Sequence, residues 1–230
     1  MSVLNKSSLR DYRSLRPIIH TPYVASVGMS RDRFLALLTM FHLNNNDAKA
    51  ARGQPGYDPL FKIWPVTDTL ITKFQDVYTP QKQLTINKAI CPFRGRIVFR
   101  VYIKGKPHKY GIKMFELCET KSGYVYNVDV YTGAHPTNSE HNTVFSVVDR
   151  LCDKIKGKGH CLYMDRRFSS PKIFDHLWGC KTKAVGTVMS SRKEVPKQAF
   201  SGKLKKGEKI SCQRDHLLAI NWKDICDVFS

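Results

Sequence analysis

The spacing of apolar residues changes from a helical period to a strand period near Pro80. Before this point, apolar residues recur every three or four positions over 30–43 and 65–78, which predicts two helices. Ser30 has the side chain of a helix N-cap, and a loop rich in glycine and proline separates the two segments. Residues 1–82 are therefore predicted to form a small helical domain.

The chain beyond Pro80 has the spacing of strands. Apolar, β-branched and aromatic runs predict strands over 84–87, 97–103 and 110–119, and apolar residues alternate again over 124–130. Turn residues separate the runs, which indicates an antiparallel meander of three strands. The first run ends at Asn87, where a carboxylate in its place would be able to face a metal ion.

A strand–helix–strand unit is predicted next, and its strands should pair in parallel through a right-handed crossover. The predicted elements are a helix over 140–156, a strand over 161–165, a helix over 171–179 and a strand over 184–189. This order predicts an α/β protein with the mixed sheet of a ribonuclease H-like fold. The first and fourth strands of that fold are neighbours, so Asn87 should lie beside Asp165.

The residues after this unit include a basic segment that is predicted to lie outside the core. Residues 190–216 have many lysines and little apolar periodicity, and a last strand is predicted over 217–222. The seven cysteines include no CxxC pair, so neither a zinc site nor a disulfide framework is indicated.

The charge of the chain points to a polyanionic partner. There are 38 Lys and Arg against 19 Asp and Glu, a net charge of +19. Such an excess is typical of nucleic-acid binding, although a merely basic surface is the alternative. No apolar run approaches the ~20 residues of a membrane span, and the N-terminus lacks the apolar centre of a signal peptide. An intracellular protein with no membrane partner is expected.

Three groups of basic residues are candidates for contacts with the phosphate backbone of DNA, although solvated faces explain most charge runs. Arginine suits bidentate phosphate contacts and lysine supplies a point charge. No base-reading motif accompanies them, so the expected affinity is largely independent of sequence. The candidates are Arg94, Arg96, Lys104, Lys106, Lys109, Lys203, Lys205, Lys206 and Lys209.

Six stretches together resemble the catalytic region of piggyBac-type transposases and of the piggyBac-derived proteins domesticated from them. They are SRDRF at 30–34, LTINKAICPFRGR at 84–96, KPHKYGIK at 106–113, YMDRRFSSP at 163–171, KAVGTVMSSRKEVP at 183–196 and NWKDICDV at 221–228. The resemblance implies a ribonuclease H-like core over 83–230, with an insertion over about 190–216. It also implies that residues 1–82 resemble a dimerisation and DNA-binding segment.

The chemistry of this family, of the DDE/D type, implies three aspartates that hold two Mg²⁺ ions. The first acid corresponds to Asn87, which Lys88 follows, and the second corresponds to Asp165, which Arg166 and Arg167 follow. The third corresponds to a position after Ser230, so this chain is expected to lack it. No intact catalytic set and no bound cofactor are therefore expected, and Asp165 is predicted to be a vestigial metal ligand.

The sequence predicts a piggyBac-derived, catalytically impaired protein that binds DNA mainly through the phosphate backbone. A nuclear location is expected, with the cytoplasm as the alternative. An active Mg²⁺-dependent transposase or nuclease, in a longer or rescued form, stays open as a second interpretation. A fossil element product without a selected role is the third. The sequence does not define the DNA target, and the resemblance leaves a homodimer open.

Overall fold

The structure of the chain is a computed structural model that describes residues 29–105, 109–133, 143–196, 204–223 and 227–229, together with residues 11, 14 and 16–18. The chain divides into two compact units, residues 1–49 and 50–230. The helices predicted over 30–43 and 65–78 therefore belong to different units, and the functional boundary near residue 82 stays a prediction. Within the described ranges, every helix is too short or too polar to cross a bilayer.

In the first unit, helix α1 spans Arg31–Met40. The Oγ of its N-cap Ser30 accepts a hydrogen bond from the backbone N–H of Arg33 at 3.2 Å. The backbone becomes extended at Phe41, so the helix ends three residues earlier than the spacing predicts. Leu37 and Met40 are exposed, which means that local capping accounts for this helix better than burial does.

In the second unit, helix α2 spans Trp64–Val77 and has a proline in its first turn, where no backbone N–H is needed. Its C-terminal end is attached to the sheet through Tyr124. The Tyr124 hydroxyl donates to the carbonyl of Phe74 at 3.0 Å, and the Tyr124 ring lies 4.3 Å from the ring of Tyr78. These contacts hold α2 against the start of the fourth strand.

The central sheet has six strands among the described residues. They are β1 (Gln83–Pro92), β2 (Val101–Tyr102), β3 (Tyr110–Glu119), β4 (Val125–Val130), β5 (Cys161–Met164) and β6 (Lys183–Gly186). Their order is β2–β3–β1–β5–β6, with β4 also pairing with β3. Strand β1 is antiparallel to β3 and parallel to β5, and β5 is parallel to β6. The mixed sheet expected from the element order is confirmed.

The strand predicted over 97–103 is mostly wrong. Strand β1 continues to Pro92 and occupies one edge of β3, where Pro92 pairs with Gly111. Only Val101 and Tyr102 pair with the opposite edge of β3, and Val101 faces the same Gly111. The intervening residues must pass around the end of β3, so they form a loop despite their apolar composition.

Two helices cover one face of the sheet. Helix α3 spans Val144–Cys152 behind the N-cap Thr143, and helix α4 spans Pro171–Gly179 behind the N-cap Ser170. The core that they form with the sheet contains Leu84, Ile86, Phe115, Leu117, Tyr126, Val147, Val148, Leu151, Cys152, Ile155, Leu162, Met164, Phe168, Ile173 and Leu177. Trp178 of α4 is 52% exposed and stacks on His216 with ring centroids 4.9 Å apart.

A second, three-stranded sheet follows. It consists of β7 (Lys209–Arg214), β8 (Leu217–Lys223) and β9 (Asp227–Phe229) in that order. Strand β8 confirms the strand predicted over 217–222, whereas β7 lies inside the segment expected to lack regular structure. Asp175 of α4 attaches this sheet to the core, because its carboxylate lies 3.0 Å from Arg214 Nη2 and 2.9 Å from His216 Nε2.

Candidate functional site

The parallel pairing of β1 with β5 brings the two predicted acid positions close together. The parallel register pairs Leu84 with Leu162 and ends with Ile86 opposite Met164. The next residues along the two strands are Asn87 and Asp165, so they are neighbours, as the sequence predicts. Asn87 does not end its strand, however, because β1 continues to Pro92 and only its pairing with β5 stops at Ile86. Both side chains are exposed. Their roles as ligands stay a prediction.

Asn87 uses its side-chain acceptor locally. Its Oδ1 accepts a hydrogen bond from the backbone N–H of Lys88 at 2.9 Å. Across the antiparallel register Asn87 faces Glu116, and burial raises the pKa of the Glu116 carboxyl above its ordinary value. The position of the first acid thus holds a neutral amide whose oxygen already has a donor.

Asp165 caps a turn. Its Oδ1 accepts hydrogen bonds from the backbone N–H groups of Arg167 at 2.7 Å and Phe168 at 3.3 Å. Its own carbonyl accepts from the Ser169 hydroxyl at 2.9 Å. Such turns are a common use of aspartate outside metal sites. They fix the backbone of Arg167 and direct the Phe168 ring into the core, 5.5 Å from the Phe115 ring.

Sequence reasoning missed Lys113, which lies on the buried face of β3, the face that Lys88 of β1 shares. Burial, and then the positive charges of Arg167 and Lys88, lowers the pKa of Lys113 to about 8. A signal was present in the sequence, because residues 111, 113, 115, 117 and 119 alternate toward one face and Lys113 shares that face with Phe115 and Leu117.

These residues do not fit a Mg²⁺ site. Magnesium requires several hard oxygen ligands in octahedral geometry. The two ancestral positions offer one carboxylate and one amide oxygen, and an oxygen of each already accepts backbone hydrogen bonds. Lys88, Lys113 and Arg167 add positive charge that would repel a divalent cation. Within the described ranges, no group of three or more His, Cys, Asp and Glu side chains is placed to hold a metal ion.

The predicted DNA-contacting residues lie on two loops and one strand. Arg94 and Arg96 are exposed on the loop after β1, Lys104 and Lys109 are exposed around the β2–β3 turn, and Lys205, Lys206 and Lys209 are exposed at the start of β7. None of these seven makes an ion pair with a carboxylate in the described part of the chain. Lys106 and Lys203 lie outside the described residues.

The mixed sheet, the helices that cover it and the parallel pairing of β1 with β5 define a ribonuclease H-like domain. The family model described as transposase IS4 matches residues 1–229, and the chain belongs to this family, in its piggyBac-type branch. The fold agrees with that of a solved relative, a piggyBac transposase synaptic complex with hairpin DNA. The two share a TM-score of 0.79 and 26% identity over 96% of this chain and 46% of the other.

Two human proteins are similar in sequence. PiggyBac transposable element-derived protein 3 is 26% identical over 186 residues, which cover 78% of this chain and 30% of that protein. PiggyBac transposable element-derived protein 2 is 25% identical over 227 residues, which cover 94% of this chain and 37% of that protein. The chain thus spans about a third of the length of these relatives.

Proposed function

We propose that this chain is a piggyBac-derived, catalytically impaired protein that binds DNA through the phosphate backbone. The observation that carries this function is the set of exposed, unpaired cations on the loops around the central sheet. The net charge of +19 supports it. So does the similarity to a transposase whose solved complex contains hairpin DNA. The DNA-bound function implies a nuclear location, and a homodimer stays a prediction.

The loop after β1 is suited to present arginines to a phosphate backbone. Arg100 holds this loop from within, because its Nη1 donates to the carbonyls of Arg94 at 3.0 Å and Gly95 at 3.1 Å. A Cβ at Gly95 would lie 2.4 Å from the Phe93 ring, so another residue at this position would require the ring to shift. The guanidinium groups of Arg94 and Arg96 remain exposed on this fixed backbone.

The turn before β7 has a similar construction. The backbone N–H of Lys205 donates to Glu208 Oε2 at 2.7 Å, and that of Gly207 donates to the Lys223 carbonyl at 2.8 Å. Gly207 has φ +88°, which glycine adopts without strain. Because these hydrogen bonds fix the turn without using a lysine ammonium, the exposed lysine side chains are available to contact phosphates.

Catalysis is impaired, on this proposal, because the first ligand is Asn87 and its neighbours are cationic. An amide binds Mg²⁺ more weakly than a carboxylate does. Lys88 follows Asn87 directly, and Arg166 and Arg167 follow Asp165. Restoring Asn87→Asp together with Lys88→Glu should raise the affinity for Mg²⁺, measured by calorimetry, because two carboxylates would then be able to share one ion.

Fluorescence anisotropy of a labelled DNA duplex, measured over a series of salt concentrations, tests the binding. Each phosphate contact contributes about −0.9 to the slope of log affinity against log salt. The triple variant Lys205→Ala, Lys206→Ala, Lys209→Ala should therefore reduce the slope by about 2 to 3. The matched control Lys121→Ala, Lys154→Ala, Lys158→Ala removes the same charge from exposed positions elsewhere and should change the slope less. Absence of binding by the unmodified chain at low salt would refute the proposal.

A cleavage assay tests the catalytic part separately. The chain is incubated with Mg²⁺ or Mn²⁺ and a labelled duplex that carries a transposon end, and no cleavage or joining is expected. Metal-dependent cleavage that Asp165→Ala abolishes would contradict the proposed impairment and would support the transposase interpretation.

A further inference from the structure

Lys113 is a buried cation without a carboxylate partner among the residues that the structure describes. Its side chain is 9% exposed, and its ammonium lies 4.0 Å from the centroid of the Tyr131 ring and 4.8 Å from that of Phe115. Across the described ranges, no hydrogen-bond acceptor or carboxylate is within bonding distance of its Nζ. Buried charges in folded proteins are usually paired, because removing them from water is costly. A buried cation without such a pair among the described residues suits an anionic ligand.

Two further cations, Lys88 and Arg167, lie near Lys113. Lys88 pairs with Phe115 across β1 and β3, so alternation puts Lys88, Phe115 and Lys113 on one face of the sheet. Arg167 directly precedes Phe168, whose ring packs on that of Phe115. Both cations are near enough to Lys113 to lower its pKa. Neither forms an ion pair with any carboxylate that the structure describes.

The surroundings hold these cations in position. The backbone N–H of Tyr131 donates to the Lys113 carbonyl at 2.9 Å, which fixes the ring beside the ammonium. Asp165 accepts from the Arg167 backbone and so fixes the start of that side chain. Arg192 donates to the Arg167 carbonyl at 2.7 Å, while its own Nε is buried without a hydrogen-bond partner. A second buried donor near the same turn is therefore unsatisfied.

We propose that Lys88, Lys113 and Arg167 form a phosphate-binding site beside the ancestral metal positions. The N–H donors of two ammonium groups and a guanidinium match phosphate oxygens, and the charge of the donors strengthens each such hydrogen bond. The site takes an anion where the family relationship implies a cation. With DNA as the source of the phosphate, the inference rests on the DNA binding proposed above, and it adds one defined contact to that surface.

The substitution Lys113→Met tests the site, with Lys121→Met, an exposed lysine in the β3–β4 turn, as the matched control. Loss of one charge-assisted contact should weaken DNA binding about tenfold and reduce the salt slope by about 0.9. The control should change neither the affinity for DNA nor the salt slope. Phosphorus NMR of inorganic phosphate gives a second readout, because the unmodified chain and the control should broaden its resonance and Lys113→Met should not.

The two readouts distinguish the sources of the phosphate. Loss of both DNA affinity and broadening in Lys113→Met supports the site with DNA as its ligand. Loss of broadening with unchanged DNA affinity supports the site with a small phosphate compound as its ligand. A Lys113→Met variant that matches the control in both readouts overturns the site. If the unmodified chain binds DNA in that experiment, the proposed function stands without this site.

Discussion

Replacing Lys113 with methionine should stabilise the folded chain when no phosphate is present. Methionine retains an unbranched, adaptable side chain and removes the buried charge. Burial and the charges of Arg167 and Lys88 lower the pKa of Lys113 from 10.5 to about 8. At about 1.4 kcal/mol for each pKa unit, this difference corresponds to roughly 3 kcal/mol of destabilisation by the charged form.

Two effects reduce the gain in stability that is expected for Lys113→Met. The ammonium is not fully sealed from water, and solvent screens its interaction with the neighbouring cations. The substitution also removes the contacts of the ammonium with the Tyr131 and Phe115 rings, each worth about 0.5–1 kcal/mol. A net stabilisation of about 1 kcal/mol at pH 7 remains, which corresponds to a rise in Tm of about 2–4 °C for a chain of this size.

The effect should depend on pH in a defined direction. The folded-state pKa of Lys113, about 8, lies below its ordinary value of 10.5. Between these values the unfolded chain binds more protons, so the stability of the unmodified chain rises with pH. The destabilisation by the charged ammonium is fully present below pH 8. The gain in stability from Lys113→Met should therefore shrink as the pH increases toward 10.

Urea unfolding in phosphate-free buffer, followed by tryptophan fluorescence and circular dichroism, measures the free energy of unfolding. The control Lys121→Met alters an exposed turn residue and should change it by less than about 0.5 kcal/mol. A Lys113→Met variant that is destabilised by about 1 kcal/mol or more would show that the ammonium is satisfied in the free protein. That result would refute the argument from an unpaired buried cation.

Two further predictions concern the scaffold. Hydrogen bonds from Ser122, Tyr78 and the backbone of Gln81 lower the pKa of Glu119 to about 2. Its stabilisation is therefore present above about pH 4.5 and lost as the pH falls toward 2, so Glu119→Gln should unfold more easily at pH 7 and flatten the acid limb of a stability curve. Gly186→Ala should cost about 1–3 kcal/mol, because its Cβ would lie 2.4 Å from the Met164 carbonyl, whereas Gly179→Ala, with nothing within 4 Å, should not.

The sequence predicted the sheet well where local pattern and pairing agree. The runs of β3 and β4 alternate, and Ser170 with Pro171 marks the start of α4, so these elements form where they are predicted. The run over 97–103 failed because strand formation requires a free edge. Its partner β3 offers that edge to only Val101 and Tyr102. Pairing partners are a property of the whole sheet, which the composition of one segment does not contain.

The same limit applies to the site. The element order was enough to predict that Asn87 and Asp165 are neighbours, because β1 and β5 pair in parallel up to the residues before them. It did not predict that β1 continues to Pro92, which leaves Asn87 inside the strand. Lys113 was overlooked because a lysine in a strand is normally solvated. Its ammonium lies against the ring of Tyr131, which follows β4, and against that of Phe115, on which Phe168 packs. Such convergence becomes visible only in the three-dimensional structure.

The cations beside Asn87 and Asp165 suggest how one scaffold can exchange catalysis for binding. In a two-metal site the ions both hold the phosphate oxygens and activate the attacking oxygen. Lysine and arginine can perform the first task, because their donors match phosphate oxygens. They cannot perform the second as a pair of bound metal ions does, since neither coordinates a water molecule and lowers its pKa. On the proposal made above, Lys88, Lys113 and Arg167 would bind a DNA phosphate close to these two positions, while Asn87 does not supply the carboxylate that the chemistry requires.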